Sequence, residues 1–142
     1  MKHPEAVDSL PGAPLPDRSL IDVLPKVLMD VPDVVFAFTR DGRYLFVNRA
    51  AAEFLNVEPI HAIGRHWEDL GFRSEIMLPF AQRVEIVSAT GRAQYYRSTT
   101  SPDRGDRVFD TSLTPVWSDE GNILAVLCIA RDITEFFPAA RQ

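Results

Sequence analysis

Arg107–Thr134 reads RVFDTSLTPVWSDEGNILAVLCIARDIT, a pattern that predicts two long β-strands joined by a tight turn. Apolar and polar side chains alternate along residues 107–117, which is typical of a pleated strand. Residues 118–122 supply turn chemistry, and Gly121 can adopt the positive φ that such turns need. The run Ile123–Ala130 is apolar on both faces, as in a central strand covered on both sides. We therefore expect the rest of the chain to pack against this hairpin.

Composition limits the function classes. The 142 residues predict one domain. A net charge of −5 and the lack of a basic stripe leave nothing to attract a phosphate backbone, so we expect no nucleic-acid partner. The single cysteine, Cys128, excludes an internal disulfide and fits a reducing compartment. No apolar run approaches the about 20 residues that span a bilayer, and the N-terminus lacks a signal pattern. These features predict a cytoplasmic segment with no membrane contact.

The first half of the chain predicts a helix, a hairpin and a second helix. Pro25–Asp30 can form a short helix that uses the proline as its first residue. Val34–Thr39 and Tyr44–Val47 are β-rich runs on either side of a turn. Asn48 stands where a helix cap belongs, and residues 49–55 are strong helix formers.

The second half predicts one longer helix and a third strand before the opening hairpin. Short helical turns are expected within residues 58–71, and Ser74 is expected to cap a helix that ends at Gly91. Pro79 should kink this helix or move its start close to the proline. Apolar side chains recur in it at spacings of four, four and three residues: Ile76, Phe80, Val84 and Val87. Residues 94–100 form a further β-rich run.

Five motifs in this order resemble those of a PAS domain. They are FTRDGRYLFVN at Phe38–Asn48, GRHWEDLGF at Gly64–Phe72, FDTSLTPV at Phe109–Val116, DEG at Asp119–Gly121 and ARDITE at Ala130–Glu135. The resemblance covers about residues 20–135. The LGF and DIT motifs are most similar to PAS modules that precede bacterial sensor histidine kinases and diguanylate cyclases.

The resemblance implies an α+β fold, with a five-stranded antiparallel sheet in the order 2-1-5-4-3, helices on one face and a small-molecule pocket between them. We expect a PAS domain at residues 19–136, a proline-rich disordered leader at 1–18, and a tail or start of a linker at 137–142. The triad Asp132, Ile133 and Thr134 is the expected signal output. In the family this triad opens a long helix, but Pro138 disfavours a continuous helix here.

Strand alternation, aligned on the family pattern, predicts which side chains face the helices. The candidate pocket residues are Phe36, Phe38, Tyr44, Phe46, Trp67, Phe80, Val84, Phe109, Thr111, Leu113, Val126 and Cys128. These side chains could fill a solid core. They could instead line a cavity for an apolar or aromatic ligand, with Thr111 and Tyr44 as polar contacts.

The resemblance also narrows the cofactors. In the related LOV domains a cysteine of the short-helix region attacks the flavin, and this chain has Trp67 and no cysteine in that region. Haem-binding relatives commonly offer a histidine from the longer helix, whereas His61 and His66 lie in another segment. The resemblance thus argues against cysteinyl-flavin photochemistry, haem and a metal site, and leaves a non-covalent small molecule or FAD open.

The outer face of the predicted sheet bears on partners, and the lack of a catalytic motif bears on activity. Apolar residues are expected on the sheet face away from the helices: Val35, Ala37, Val108, Val116, Leu127 and Ile129. A monomer seldom exposes such a patch. The helix that carries Leu24, Val27, Leu28 and Val31 could cover it, either in the same subunit or across a two-fold axis, and of these a homodimer is predicted. No nucleophile stands with a base in a known catalytic motif, so the chain is not predicted to be an enzyme.

Three functions remain open. The favoured one is a sensory module of a two-component or related signalling system, which binds a small molecule or dimerises and controls an attached or partner kinase or cyclase domain. The second is a ligand-free dimerisation or docking module with a solid core. The third is a small cone-fold enzyme of the isomerase type, which needs an ionisable group in the pocket, where only Cys128 and Tyr44 are expected.

Overall fold

The computed structural model describes residues 26–100 and 105–138, and its centre is a five-stranded antiparallel sheet. The strands lie in the order β2-β1-β5-β4-β3, as the PAS resemblance implied. Their bounds are β1 (Val34–Phe38), β2 (Tyr44–Val47), β3 (Gln94–Thr99), β4 (Val108–Trp117) and β5 (Ile123–Asp132). The leader expected at 1–18 and the last four residues lie outside the described part of the chain.

The helices connect β2 to β3. They are α1 (Arg49–Leu55), α2 (Pro59–Ala62), a 3-10 helix (Trp67–Leu70) and α3 (Ser74–Thr90). Residues 26–29 are also helical, as predicted for the segment before β1. Within the described residues, no helix is long and apolar enough to cross a membrane.

The apolar strand β5 is central, as its sequence predicted. It pairs with β1 on one side and with β4 on the other, so that Cys128 lies between Phe36 and Leu113. The same parity places Phe38 and Val126 on the inner face, towards α3. These five side chains are buried and form the centre of the core.

The prediction that Phe46 faces the helices is wrong. Phe38 pairs with Tyr44, but Ala37 pairs with Phe46, because the register shifts between Ala37 and Phe38. Phe46 therefore shares the outer face of the sheet with Ala37, and Val47 takes the inward position opposite Phe36. A bulge adds one residue to one strand and reverses the faces beyond it, which simple alternation cannot anticipate.

The predicted start of α3 also needs correction. Ser74 does not cap the helix, because it is already the first helical residue and Arg73 takes the capping position without a side-chain bond. The Arg73 carbonyl instead accepts hydrogen bonds from the N–H groups of Ile76 and Met77. Pro79 lies inside the helix. Because Pro79 and Glu75 are exposed, water can satisfy the Glu75 carbonyl that the proline leaves free.

The chain does not continue from β5 into a long helix. A 3-10 helix, Thr134–Phe136, follows the strand directly, and no longer helix forms before Pro138, where the described residues end. This agrees with the expectation that Pro138 disfavours a continuous helix. The Phe137 ring lies 5.0 Å from the Arg97 guanidinium on the outer side of the sheet.

Candidate ligand-binding cavity

A cavity of about 690 Å³ lies between α3 and the inner face of the sheet. Its lining residues are Val34, Phe36, Tyr44, Phe54, Leu55, Gly71, Phe72, Arg73, Ile76, Met77, Pro79, Phe80, Arg83, Tyr96, Arg97, Ser98, Thr99, Thr100, Phe109, Thr111, Cys128 and Ala130. A largely apolar cavity of this size with a few polar groups is typical of small-molecule sites.

Helix α3 supplies one wall through its spacing. Ile76, Pro79, Phe80 and Arg83 fall at i, i+3, i+4 and i+7, which places them on one side of the helix, and all four line the cavity. Val84 and Val87 are fully buried beside this row and hold α3 on the core. The side of the helix that faces the cavity is thus apolar except for Arg83.

Aromatic rings form the inner end of the cavity. The Phe36 ring centroid lies 5.5 Å from that of Phe80 and 5.6 Å from that of Tyr44. Tyr44 in turn meets Phe72 edge to face, with their centroids 6.3 Å apart. Such tilted and edge-to-face pairs are favourable ring arrangements, so this wall is well packed rather than loose.

The buried hydroxyl and thiol groups of the cavity are neutral. Burial raises the pKa of Cys128 to about 12. Burial, and to a smaller extent Cys128, raises the pKa of Tyr44 well above its ordinary value. The pKa of Tyr96 rises to about 12, first through burial, while Arg83 and a hydrogen bond with Thr111 partly oppose the shift. These groups can exchange hydrogen bonds with a ligand but carry no charge at neutral pH.

Among the arginines that line the cavity, Arg83 is the half-buried one. The Arg83 guanidinium lies over the Tyr96 ring, 3.8 Å from its centroid. It also donates a hydrogen bond of 3.2 Å to the Gln94 side-chain oxygen. The cation–π contact and the hydrogen bond hold the guanidinium at the junction of α3 and β3.

The predicted pocket residues divide into two groups. Those that line the cavity are Phe36, Tyr44, Phe80, Phe109, Thr111 and Cys128. Those that are buried in the core without lining it are Phe38, Trp67, Val84, Leu113 and Val126. Phe46 belongs to neither group. One group of the predicted residues is therefore packed in the core, and the other borders the cavity.

Sequence reasoning missed Arg83 and Tyr96. Arg83 follows Phe80 by three residues, so helical spacing alone places the two on one face. Tyr96 pairs with Thr111, which the sequence had placed inwards, and partners in a ladder share a face. The sequence therefore indicated both positions. Predicting Arg83 as a cavity residue would have required a polar side chain to be accepted on the apolar side of the helix.

The predicted output residues lie at the end of β5 and are tied to the start of β4. The Asp132 carboxylate accepts hydrogen bonds from the Thr134 N–H and from Arg107. The Thr134 hydroxyl accepts a 2.8 Å bond from the Val108 N–H. Arg107 and Asp132 also line a shallower cleft of about 510 Å³, which shares the Phe54–Phe109 ring pair with the main cavity.

Among the described cysteine and histidines, Cys128 is packed in the core and His66 caps a helix. Cys128 is buried on β5, away from the short-helix region in which LOV domains carry their cysteine. The His66 ring nitrogen Nδ1 accepts a bond from the Glu68 N–H and caps the 3-10 helix. His61 lies on α2. The described residues contain no cluster of three or more side chains able to hold a metal ion.

Comparisons with known proteins agree with this architecture. VqmA of Vibrio cholerae, described as a dimer and among LuxR-type receptors, superposes with a TM-score of 0.68 at 17% identity over 86% of this chain and 53% of its own. Another VqmA structure is a complex with a ligand and DNA. The chain thus spans about half the length of VqmA.

Two further structures match over most of their length. The PAS domain of Bordetella pertussis BvgS has a TM-score of 0.64 at 14% identity, over 86% of this chain and 94% of its own. A sensory box sensor histidine kinase from Vibrio cholerae has a TM-score of 0.62 at 13% identity, over 81% and 93%. Identities this low establish the fold alone.

The family assignment rests on the sequence match. No curated protein matches the chain. A family model described as the PAS fold matches residues 28–136, which is most of the chain and includes all five strands. The chain belongs to the PAS family.

Proposed function

We propose that this PAS domain is a sensory module that binds a small molecule in the cavity under α3 and passes the change to an attached or partner output domain, such as a histidine kinase or a diguanylate cyclase. The observation that carries the proposal is the cavity itself. An apolar space of about 690 Å³ has no role in a solid docking module. The ligand of VqmA supports the proposal by analogy of fold.

The route to the output runs through β4 and β5. Phe109 lines the cavity and pairs across the sheet with Asp132, the first residue of the output triad. A ligand that moves Phe109 would therefore act on the strand that carries Asp132 and Thr134. It would shift the output only if it bound two arrangements of this region with different affinity.

The test is native mass spectrometry of protein purified from its expression host, together with a visible absorbance scan. A bound small molecule or chromophore is expected, and Ala130→Phe should abolish it, because Ala130 lines the cavity. Ala89→Phe, at an exposed position on α3, is the matched control and should retain the ligand. A bare chain mass, with no thermal stabilisation by a ligand screen, would contradict the proposal.

Dimerisation is a second candidate role, favoured by the outer face of the sheet. Tyr95 on β3 and Val116 on β4 are 77% and 37% exposed there, whereas Val35 and Val108 are buried. We propose that a second copy of the chain covers this exposed area. Tyr95→Ser should then weaken self-association in sedimentation equilibrium, while Ile60→Ser, at an exposed site on α2, should not. A wild-type chain that remains monomeric would refute the homodimer.

The other functions have less support. A cone-fold enzyme needs a general base in the cavity, but its tyrosines and cysteine have raised pKa values and remain protonated. We also propose that this segment does not itself bind nucleic acid, because its net charge is −5. VqmA binds DNA as a longer chain, so its DNA complex leaves that proposal open.

A further inference from the structure

Arg83 differs from the other described arginines in its surroundings. Seven of them form ion pairs: Arg40, Arg43, Arg49, Arg73, Arg97, Arg107 and Arg131. Within the described part of the chain, Arg83 has no carboxylate partner, and it is the one arginine that is half-buried rather than exposed. A partly desolvated cation without a counter-charge is costly, so its retention beside a cavity calls for a partner.

The cavity has room for such a partner, which would be a bound ligand and not a residue of the chain. Among the described residues that line it there is no aspartate or glutamate. Arg73 and Arg97 also belong to the lining, but Arg73 is exposed and paired with Glu75, and the Arg97 guanidinium lies on the outer side of the sheet, paired with Asp110. The cavity therefore has an excess positive charge, concentrated at Arg83, within a protein whose net charge is −5.

The geometry of Arg83 suits a planar anion. Its Nη1 group donates to Gln94, and its central carbon lies 3.8 Å from the centroid of the Tyr96 ring, so that two contacts hold the guanidinium in place. A guanidinium has five N–H donors, so most remain available at its edge. Two parallel donors at one edge match the two oxygens of a carboxylate.

The rest of the cavity defines the body of the ligand. Phe36, Phe80 and Met77 provide an apolar and aromatic lining next to Arg83. The hydroxyls of Tyr96 and Thr111 lie on the same inner face and can accept or donate one or two further hydrogen bonds. One guanidinium balances a monoanion, whereas a phosphate monoester would bring about −1.5 to −2 charges into an apolar space.

We propose that the cavity binds a small organic acid with an apolar or aromatic body, and that Arg83 holds its carboxylate. This inference rests on the proposed ligand-binding function and specifies the ligand class for the same site. Arg83 is then the residue that determines specificity for the acid over its neutral analogues.

The experiment compares acids with their amides, which have the same shape but no charge. The pairs are benzoate with benzamide, phenylacetate with phenylacetamide, and hexanoate with hexanamide, titrated into the purified chain by calorimetry and thermal shift. At least one acid should bind about tenfold to a hundredfold more tightly than its amide, as a charge-assisted hydrogen-bonded pair requires.

Substitutions of Arg83 test whether this residue causes the preference for acids over amides. Arg83→Gln should lower the affinity for the acid to that for the amide and leave the amide unchanged. Arg83→Lys should retain part of the preference, because it keeps the charge without the two parallel donors. Arg92→Gln, at an exposed arginine beyond the end of α3, is the control and should change neither affinity. Circular dichroism and the unfolding midpoint of each unliganded variant show that it is folded.

The outcomes separate the two proposals. Equal binding of acids and amides, or an equal loss of both in Arg83→Gln, would overturn the carboxylate assignment while the cavity remained a ligand site. Binding of the amides alone would do the same. If no member of any pair bound while native mass spectrometry still found a bound molecule that is not an acid, the organic-acid inference would be overturned and the ligand-binding function would stand. A bare chain mass as well would contradict both.

Discussion

At the scale of single residues, Asn48 connects three parts of the chain. Its side chain is fully buried, and its Oδ1 atom accepts hydrogen bonds from the N–H groups of Val35 and Ala51. Its Nδ2 group donates to the carbonyls of Asp33 and Leu28. One amide thus caps α1, supports β1 and anchors the segment before β1, which explains why a polar side chain is retained in the core.

Asn48→Ala should therefore be strongly destabilising. The substitution leaves several buried backbone donors and acceptors without partners, and each such group costs about 1 to 3 kcal/mol. We expect urea unfolding to show a loss of about 3 kcal/mol or more. Gln82→Ala, at an exposed position on α3, serves as the control and should change the free energy of unfolding very little. A loss similar to that of the control would show that water replaces the amide.

Gly91 is required both by its conformation and by its neighbour. It ends α3 with φ at +67°, and a Cβ atom built on it would lie 2.9 Å from two ring carbons of Trp117. Gly71 has a similar φ of +78°, but nothing lies within 4 Å of the corresponding Cβ position. An alanine at either position would therefore have to adopt the same unfavourable backbone conformation. Only at Gly91 would its Cβ atom also overlap a neighbouring side chain.

Comparing Gly91→Ala with Gly71→Ala separates these two contributions. The left-handed conformation alone should cost about 1 to 2 kcal/mol in both variants. Gly91→Ala should lose clearly more stability in urea unfolding, because Trp117 must move or the helix end must shift. Equal losses would mean that the Trp117 ring adjusts freely.

At the scale of secondary-structure elements, the end of β5 is stabilised by the Asp132 carboxylate. Partial burial raises its pKa, but hydrogen bonds from the Thr134 side chain and backbone, and then from Arg107, outweigh that effect and hold the pKa below its ordinary value. The bond from the Thr134 N–H closes the turn after the strand, and the Val108 N–H, which donates to the Thr134 hydroxyl, joins this turn to the start of β4. The residues proposed as the signal output meet the sheet at this point.

The lowered pKa predicts a pH dependence. A carboxylate whose pKa is lower in the folded protein stabilises it above the unfolded pKa, and that stability is lost as the pH falls through the folded pKa. The wild type should exceed Asp132→Asn in stability at pH 7, by at most about 1 kcal/mol because the side chain is partly exposed. The difference should shrink below about pH 4 in acid unfolding curves. A difference that stayed constant with pH would exclude the carboxylate charge as its cause, and Glu120→Gln is an exposed control.

At the scale of the whole molecule, Cys128 lies on the central strand of the sheet, between β1 and β4. It is 2% exposed, and burial raises the pKa of its thiol to about 12. Because the raised pKa favours the neutral thiol in the folded state, stability should fall as the pH rises from about 9 towards 12. The reactivity of this thiol therefore reports the opening of the domain.

Labelling with a disulfide reagent such as DTNB tests this expectation. Native Cys128 should react slowly, at a rate set by opening of the fold, and rapidly in denaturing urea. Ala89→Cys in a Cys128→Ser background is the exposed comparison and should react at once under native conditions. Rapid native labelling of Cys128 would show instead that the cavity admits the reagent.

The sequence by itself determined the elements and their order. The apolar run of β5 predicted a central strand, and Asn48 and Gly91 set the helix ends, because periodicity and capping depend on residues that are near one another in the chain.

Which of these residues surround an open space depends on contacts between elements that are distant in the chain. The bulge that turned Phe46 outwards depends on how two strands fit together. The contact of Arg83 with Tyr96 depends on where α3 crosses β3. Whether aromatic side chains pack solidly or leave a cavity depends on the distance between a helix and a sheet, and no local pattern in the chain encodes that distance.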